Sequence, residues 1–536
     1  MSRKFDKKFH KNQKFNSEFC DDSMTFEECE LAILRHAVDE SEEHQGKKIA
    51  NSEEVKKIIK ILENFLIDKK CICYGGTAIN NILPKYAQFY NKDVEIPDYD
   101  FFTPNALADA KELADIYYAA GYVEVEAKSG MHHGTYKVYV NFIPIADITY
   151  LDPALFEAIN KEAVSVAGIK YAPPNFLRMS MYLELSRPAG DVSRWEKVFK
   201  RLSLLNKHYP FAENVKCSGV EFQRKLHTNS HNSEKLYLTV RDSFTEQGVI
   251  FFGGYASSLY SKYMPPKQRR FFQHIPDFDV LSEEPERCAT IVIERLRDNG
   301  FTNAEKIVHG PIGELIPEHI EIRVGKDTIA FIYYPIACHN YNTIHLGSVE
   351  VNVATIDTML SFYLAFIYAE EYMPFKDRIL CMAKFLFQVE EENKLEQKGL
   401  LKRFSLNCVG KQPSLEDIRA EKAEKFKELA NKKGSLEYEE WFLKYNPSEK
   451  KDGKKTKSKK EESKEPVQVP EKEKEPEQEP EPKTEKKEEN NVIASLPKMK
   501  LPGFLSPTKK YKKRKPRNYN KTRKYINKRK DDGYLY

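Results

Sequence analysis

Three aspartates are placed as phosphoryl transfer would need them. Asp98 and Asp100 stand two apart in Ile96-Pro97-Asp98-Tyr99-Asp100, and Asp147 ends a later apolar run, Ile145-Ala146-Asp147. A strand turns residues i and i+2 to one face, so Asp98 and Asp100 point together while Tyr99 points away. Two adjacent carboxylates repel and lose hydration unless a cation neutralises them. A third from a neighbouring strand completes a cage for hard divalent ions, the arrangement used by two metals in an in-line displacement. Upstream, Tyr74-Gly75-Gly76-Thr77-Ala78 reads as a strand entering a turn that opens a helix. Backbone N–H groups at such a turn can approach a triphosphate closely, and the Thr77 hydroxyl adds one more donor. Either motif alone is a weak signal; in this order, with the third acid on a strand, they converge on one site.

The same grammar recurs, incompletely. Phe252-Gly253-Gly254-Tyr255-Ala256 is followed by Ile275-Pro276-Asp277-Phe278-Asp279, but the third position reads Ile329-Ala330-Phe331. The offset is 178 residues at Gly76/Gly254, 179 at Asp98/Asp277 and Gly121/Gly300, and 181 at Tyr182/Tyr363. Matches in order and nearly in register imply duplication. Because Phe331 cannot bind a cation, Asp277 and Asp279 read as relics that cap turns or pair with nearby bases. At the last offset Arg178, Arg187 and Arg194 face Met359, Tyr368 and Phe375, while Lys197 faces Arg378. Arg178 and Lys197 are therefore expected at the nucleotide, although a shared salt bridge is an equal reading for Lys197. Arg187 and Arg194 are expected at a polyanion. His132 and His133, on a loop, are left out of the site.

The elements that must position these groups are legible in outline. Asn51 and Glu54 resemble a capping box ahead of an apolar stripe, Val55, Ile58, Ile59, Leu62, Phe65 and Leu66, which is core. Lys69-Lys70 closes that helix and Cys71 to Tyr74 forms the strand into the Gly-Gly turn. Each Asp-x-Asp is followed by a helix, 106–120 and 284–298, and then by alternating strands, 136–150 and 319–334. The chain of 536 residues is long enough for two or three domains with cores. Nine cysteines without Cys-x-x-Cys pairing are expected to be reduced, buried thiols in a reducing compartment. No apolar run is long enough to span a membrane, and the basic, aromatic start has no signal-peptide core, so a soluble protein is expected.

Charge is segregated along the chain. The formal balance is only +5, yet every charged residue from Lys509 to Lys530 is Lys or Arg, interleaved with tyrosines. Lys509, Lys510, Lys512, Lys513, Arg514, Lys515 and Arg517 are the expected polyanion contacts. Between 447 and 490 the composition is Lys, Glu and Pro with little to bury, a disordered linker. The resulting division is a basic arm at 1–24, two related domains at 25–210 and 211–390, a helical extension at 391–446, the linker and a tail at 491–536.

Gly75-Gly76-Thr77, Asp98-x-Asp100 and Asp147 resemble the signature of the DNA polymerase beta-type nucleotidyltransferases. The doubled domain, Pro97-Asp98-Tyr99-Asp100-Phe101-Phe102 and the basic tail resemble the poly(A) polymerases of giant DNA viruses, distant relatives of the poxvirus catalytic subunit. The resemblance covers residues 26–390. It implies an α+β fold of two tandem nucleotidyltransferase-like domains, each a mixed sheet with flanking helices, the first active and the second degenerate. It also implies template-independent transfer of AMP from ATP to an RNA 3′ end, two Mg2+ or Mn2+ ions, and a homodimer in the host cytoplasm, its viral factory or the virion. In that family the first two acids bind both metals, and the third binds one and helps activate the 3′ hydroxyl. Thr77 stands where Ser is more usual, and the stretch from Gly76 to Asp98 is long, with an inserted turn around 88–95. The rival readings are a terminal uridylyltransferase, a maker of oligoadenylates, and a non-catalytic RNA-binding scaffold.

Overall fold

The apolar stripe of the helix Glu53–Lys69 is buried as its spacing requires, with Val55, Ile58, Leu62, Phe65 and Leu66 inside. Its cap is one residue later than expected. Ser52 Oγ accepts from the Val55 amide at 3.1 Å, while the Asn51 amide donates to the Asp93 carbonyl at 2.9 Å and ties the helix start to the loop before Asp98. At the other end Lys70 takes φ 56, a left-handed cap that turns the chain into the first strand. These observations come from a computed structural model, which describes residues 18–20, 23–91, 93–220, 222, 230–272, 277–393 and 395–449. The tail, nearly all of the linker and most of the basic arm lie outside the described residues.

Fourteen strands build the two copies. In the first they are β1 (Ile72–Tyr74), β2 (Tyr99–Thr103), β3 (Val125–Ser129), β4 (Thr135–Val140), β5 (Ile143–Tyr150), β6 (Val164–Val166) and β7 (Ile169–Tyr171). In the second they are β8 (Ile250–Phe252), β9 (Phe278–Leu281), β10 (Ala304–His309), β11 (His319–Val324), β12 (Asp327–Tyr333), β13 (His339–Leu346) and β14 (Val349–Ala354). Two short strands, β15 (Cys408–Val409) and β16 (Lys444–Tyr445), come from the C-terminal extension. The sheet orders are β16-β3-β4-β5-β2-β1-β7-β6 and β10-β11-β12-β9-β8-β14-β13-β15. Without the extension strands the two orders coincide, element for element. Both sheets are mixed: β2 runs parallel to β5 and antiparallel to β1, as β9 does to β12 and β8. The fold is thus α+β, with two mixed sheets of one topology.

The repeats meet through equivalent helices. Pro174–Leu185 packs on Ile356–Phe366, and Phe176 meets Tyr368 ring to edge at 5.6 Å. Beside this contact Arg403 is buried between Asp357 and Glu390, with Phe199 of the first copy over its guanidinium at 5.6 Å. Asp357 and Glu390 hold Arg403 in its charged form despite burial, as a buried ion triad must be held. The extension then returns to the first copy. There β16 pairs with β3, Lys111 bonds Glu439 at 2.5 Å and Tyr445 bonds Asp115 at 2.6 Å.

The cysteine expectation needs correction. Cys20–Cys29, Cys217–Cys381 and Cys338–Cys408 are disulfides, and Cys71, Cys73 and Cys288 are free and buried. The last two bridges span 164 and 70 residues, so only the folded chain brings their partners together. Among the described residues no helix is long and apolar enough to cross a membrane.

Candidate active site

The Gly-Gly turn is built to admit two side chains. Gly75 opens the helix Gly75–Ile82 with φ +72, and a Cβ there would lie 2.6 Å from Asp100 Oδ2. A Cβ on Gly76 would lie 2.5 Å from the Tyr90 hydroxyl and 2.9 Å from Arg201 Nη1. Glycine at both positions therefore lets a carboxylate and a guanidinium rest on the helix start. Thr77 is buried, and its hydroxyl donates to the Asp98 carbonyl at 2.5 Å. In this structure Thr77, expected at the nucleotide, fastens the backbone that carries the first acid.

Asp98 lies just before β2, and Asp100 lies on it. Tyr99 faces the other way, buried, its hydroxyl donating to Glu63 at 3.1 Å. In the sheet Asp100 is paired with Tyr74 on β1 and with Asp147 on β5, so the second and third acids are direct neighbours across two parallel strands. Burial, then Asp98 and Asp147, push the Asp100 carboxyl up to about 7, with Lys137 and Arg194 pulling it down. Burial, then Asp147, also raise Asp98, opposed by Lys137 and Lys197. Both shifts favour the neutral acid, which is what clustered carboxylates do without a cation.

Whether the acids fit a divalent ion can be judged from their chemistry and placement. Three mutually repelling carboxylates beside a glycine turn suit a hard cation. Among the described residues, however, no group of three His, Cys, Asp or Glu side chains is closed up tightly enough to hold one. Asp147 Oδ2 is taken by Lys137 Nζ from β4. The residues fit the ion in type and register, with Lys137 on the third ligand.

A ridge of cations faces these acids. On the helix Trp195–His208 and the turn before it, Arg194 acts on Asp100 and Lys197 acts on Asp98, and Arg201 rests on the Gly-Gly turn. Arg201 donates to the Tyr90 hydroxyl at 2.6 Å and lies over the Phe89 ring at 5.0 Å. Arg194 also pairs with Glu184 at 3.2 Å and is 56% exposed. Burial, with Arg201 and Arg194 nearby, lowers the Lys197 ammonium. Sequence reasoning placed Arg194 and Lys197 but missed Arg201, although i, i+3, i+7 spacing from 194 to 201 was a usable signal.

Two expected arginines belong elsewhere. Arg178 is only 2% exposed and spends its guanidinium on Asn175 at 2.8 Å, Asn206 at 2.7 Å and the Tyr209 carbonyl. This is internal scaffolding of the first copy, not a nucleotide contact. Arg187 is mostly buried, which pushes it down to about 10, and its charge acts on the buried His339 of the second copy. It lies at the contact between the copies, so the expectation of an RNA contact is corrected too. His133 meets the Trp441 ring of the extension at 4.3 Å in a tilted contact, and both His133 and His132 act on Glu314 of the second copy. The expected contacts from Lys509 to Arg517 lie outside the described residues.

The second copy is the control. Asp279 is paired with Phe331 in the register that pairs Asp100 with Asp147. Asp277 meets Arg378 at 3.6 Å, the counterpart of Lys197 near Asp98. Glu321 occupies the place of Lys137, opposite Phe331, and bonds His309, Arg323 and Thr328.

Comparison with known proteins matches these observations. Residues 60–191, which hold the turn and all three acids, match the family model described as "Poly(A) polymerase catalytic subunit". A curated protein of African swine fever virus, provisionally named a poly(A) polymerase catalytic subunit, is 34% identical over 170 residues, 31% of this chain and 35% of that one. One from Acanthamoeba polyphaga mimivirus, with the same provisional name, is 34% identical over 167 residues, 30% of this chain and 28% of that one. The matched segment thus spans about a third of the curated relatives. The crystal structure of Megavirus polyadenylate synthase superposes with a TM-score of 0.67 at 18% identity, covering 86% of this chain and 95% of that one. The segment bearing the acids is therefore similar in sequence to poly(A) polymerase catalytic subunits, and the fold is similar to that of Megavirus polyadenylate synthase.

Proposed function

We propose that this chain is a template-independent poly(A) polymerase that extends RNA 3′ ends with AMP from ATP, using its first copy alone. The observation that carries the reading is the paired register: Asp100 beside Asp147 in one sheet, Asp279 beside Phe331 in the other. Only the first copy has three acids for two-metal phosphoryl transfer. Asp98, Asp100 and Asp147 are the ligands we assign to Mg2+ or Mn2+, which when bound offset charge on the phosphates and lower the pKa of the attacking hydroxyl. Lys197 and Arg201, with the amides of Gly75 and Gly76, are assigned to the triphosphate. The RNA 3′ oxygen bonds to the α-phosphorus as the bond to the bridging oxygen breaks and pyrophosphate leaves. The hydroxyl proton is assigned to Asp147.

The test is extension of an arbitrary RNA primer with each nucleoside triphosphate and Mg2+ or Mn2+. Long adenylate tails should form with the wild type and with Asp277→Ala plus Asp279→Ala, and not with Asp98→Ala plus Asp100→Ala. Preference for UTP, or products formed without primer, would replace this reading with another nucleotidyltransferase. No product with any nucleotide would leave an RNA-binding scaffold, and equal loss in both double variants would make the second copy catalytic.

A further inference from the structure

We propose that Lys137 is a resident counter-ion for the third acid, one that a divalent cation must displace before the site closes. The inference rests on the reading of Asp98, Asp100 and Asp147 as cation ligands. Lys137 on β4 is the cross-strand partner of Asp147, which is the cross-strand partner of Asp100. The face of the sheet thus reads Lys137, Asp147, Asp100 over three adjacent strands, and the ammonium is bonded to Asp147 Oδ2. Its charge also reaches Asp98 and Asp100, lowering both. Lys137 thus holds an oxygen that a cation bound by all three acids would also need, so the amine and the cation compete for it.

The second copy has lost both members of this pair. Where Asp147 becomes Phe331, the position opposite becomes Glu321, whose partners are His309, Arg323 and Thr328. Lys137 is a positioning residue acting through Asp147. It compensates the charge of Asp147 in the apo site and sets the cation concentration at which the third ligand is released.

Binding of Mn2+ alone to the full-length protein, followed by the free-ion spin resonance signal, tests this without turnover. A partly exposed ion pair is worth little, so Lys137→Met should tighten one Mn2+ site by about two- to fivefold. Lys137→Arg should restore wild-type affinity, and Asp147→Asn should remove the difference between Lys137 and Met. In the wild type, amine labelling read by mass spectrometry should become faster at Lys137 when Mn2+ is added, a measurement that needs no variant to fold. Unchanged Mn2+ affinity in Lys137→Met, or unchanged labelling, overturns the assignment while Asp98→Ala plus Asp100→Ala still loses Mn2+. If that double variant also binds Mn2+ as the wild type does, the metal reading falls as well.

Discussion

Asp100 is crowded by burial and by two other carboxylates, and this gives it a measurable signature. Its carboxyl is raised from 3.8 to about 7, so the folded protein holds a proton that the unfolded chain has lost across that interval. The unfolded state then binds fewer protons, and stability falls as pH rises from about 4 to about 7. Without divalent ions, Asp100→Asn should flatten that part of the Tm profile. It should melt higher than the wild type at pH 7, by about 2–4 °C for each kcal/mol of repulsion relieved. Parallel profiles would mean that Asp100 is not strained in the apo protein. The acids were legible because i, i+2 spacing and a third acid on an apolar strand are local features. Lys137 was not, since it matters through strand register, and Arg201 was signalled only by its helix phase with Arg194 and Lys197, not by the distant turn it rests on. Arg178 was misread for a related reason: its loss in the second copy looked functional, but the groups that satisfy it, Asn175, Asn206 and the Tyr209 carbonyl, adjoin it only in the fold.

At the scale of elements, the strand, glycine turn and helix form one device. Gly75 has φ +72 and would place a Cβ 2.6 Å from Asp100 Oδ2, whereas Gly121 has φ +100 and open space around it. Alanine at either position takes on left-handed strain of about 1–2 kcal/mol. Gly121→Ala should lose about that much in denaturant unfolding and Gly75→Ala at least as much, because Asp100 must also shift, and only Gly75→Ala should lose primer extension. Equal activity in the two would mean that the close approach of Asp100 to the turn is incidental. The helices after each Asp-x-Asp were legible from their patterns, and lie at Ala106–Ala119 and Pro285–Asp298. The cap at Ser52 in place of Asn51 was not, because Asn51 is drawn off by the Asp93 carbonyl, 42 residues away. Nor was β16, two residues with no pattern of their own that become a strand by meeting the edge of β3.

At the scale of the molecule, duplication was readable from offsets, but the way the copies join was not. Helices bearing Tyr182 and Tyr363 read as equivalent; that they pack on each other, with Arg403 buried beside them, follows from three-dimensional fit. The most basic stretch of the chain lies outside the described residues. From Lys509 to Lys530 the only charges are positive. A polycation that neutralises phosphates releases counter-ions, so it strengthens binding at any sequence and makes that binding steep in salt. We therefore predict that a variant ending at Lys454 keeps its extension rate at saturating RNA, since the acids and the cation ridge are intact. It should bind RNA more weakly, with a shallower dependence of affinity on salt. Each lost phosphate contact on single-stranded RNA should lower the slope of log K against log salt by about 0.7. Fluorescence anisotropy with a labelled oligonucleotide over a salt series gives that slope directly. An unchanged slope would assign RNA attraction to the body of the protein, where Arg194 and its neighbours would have to supply it.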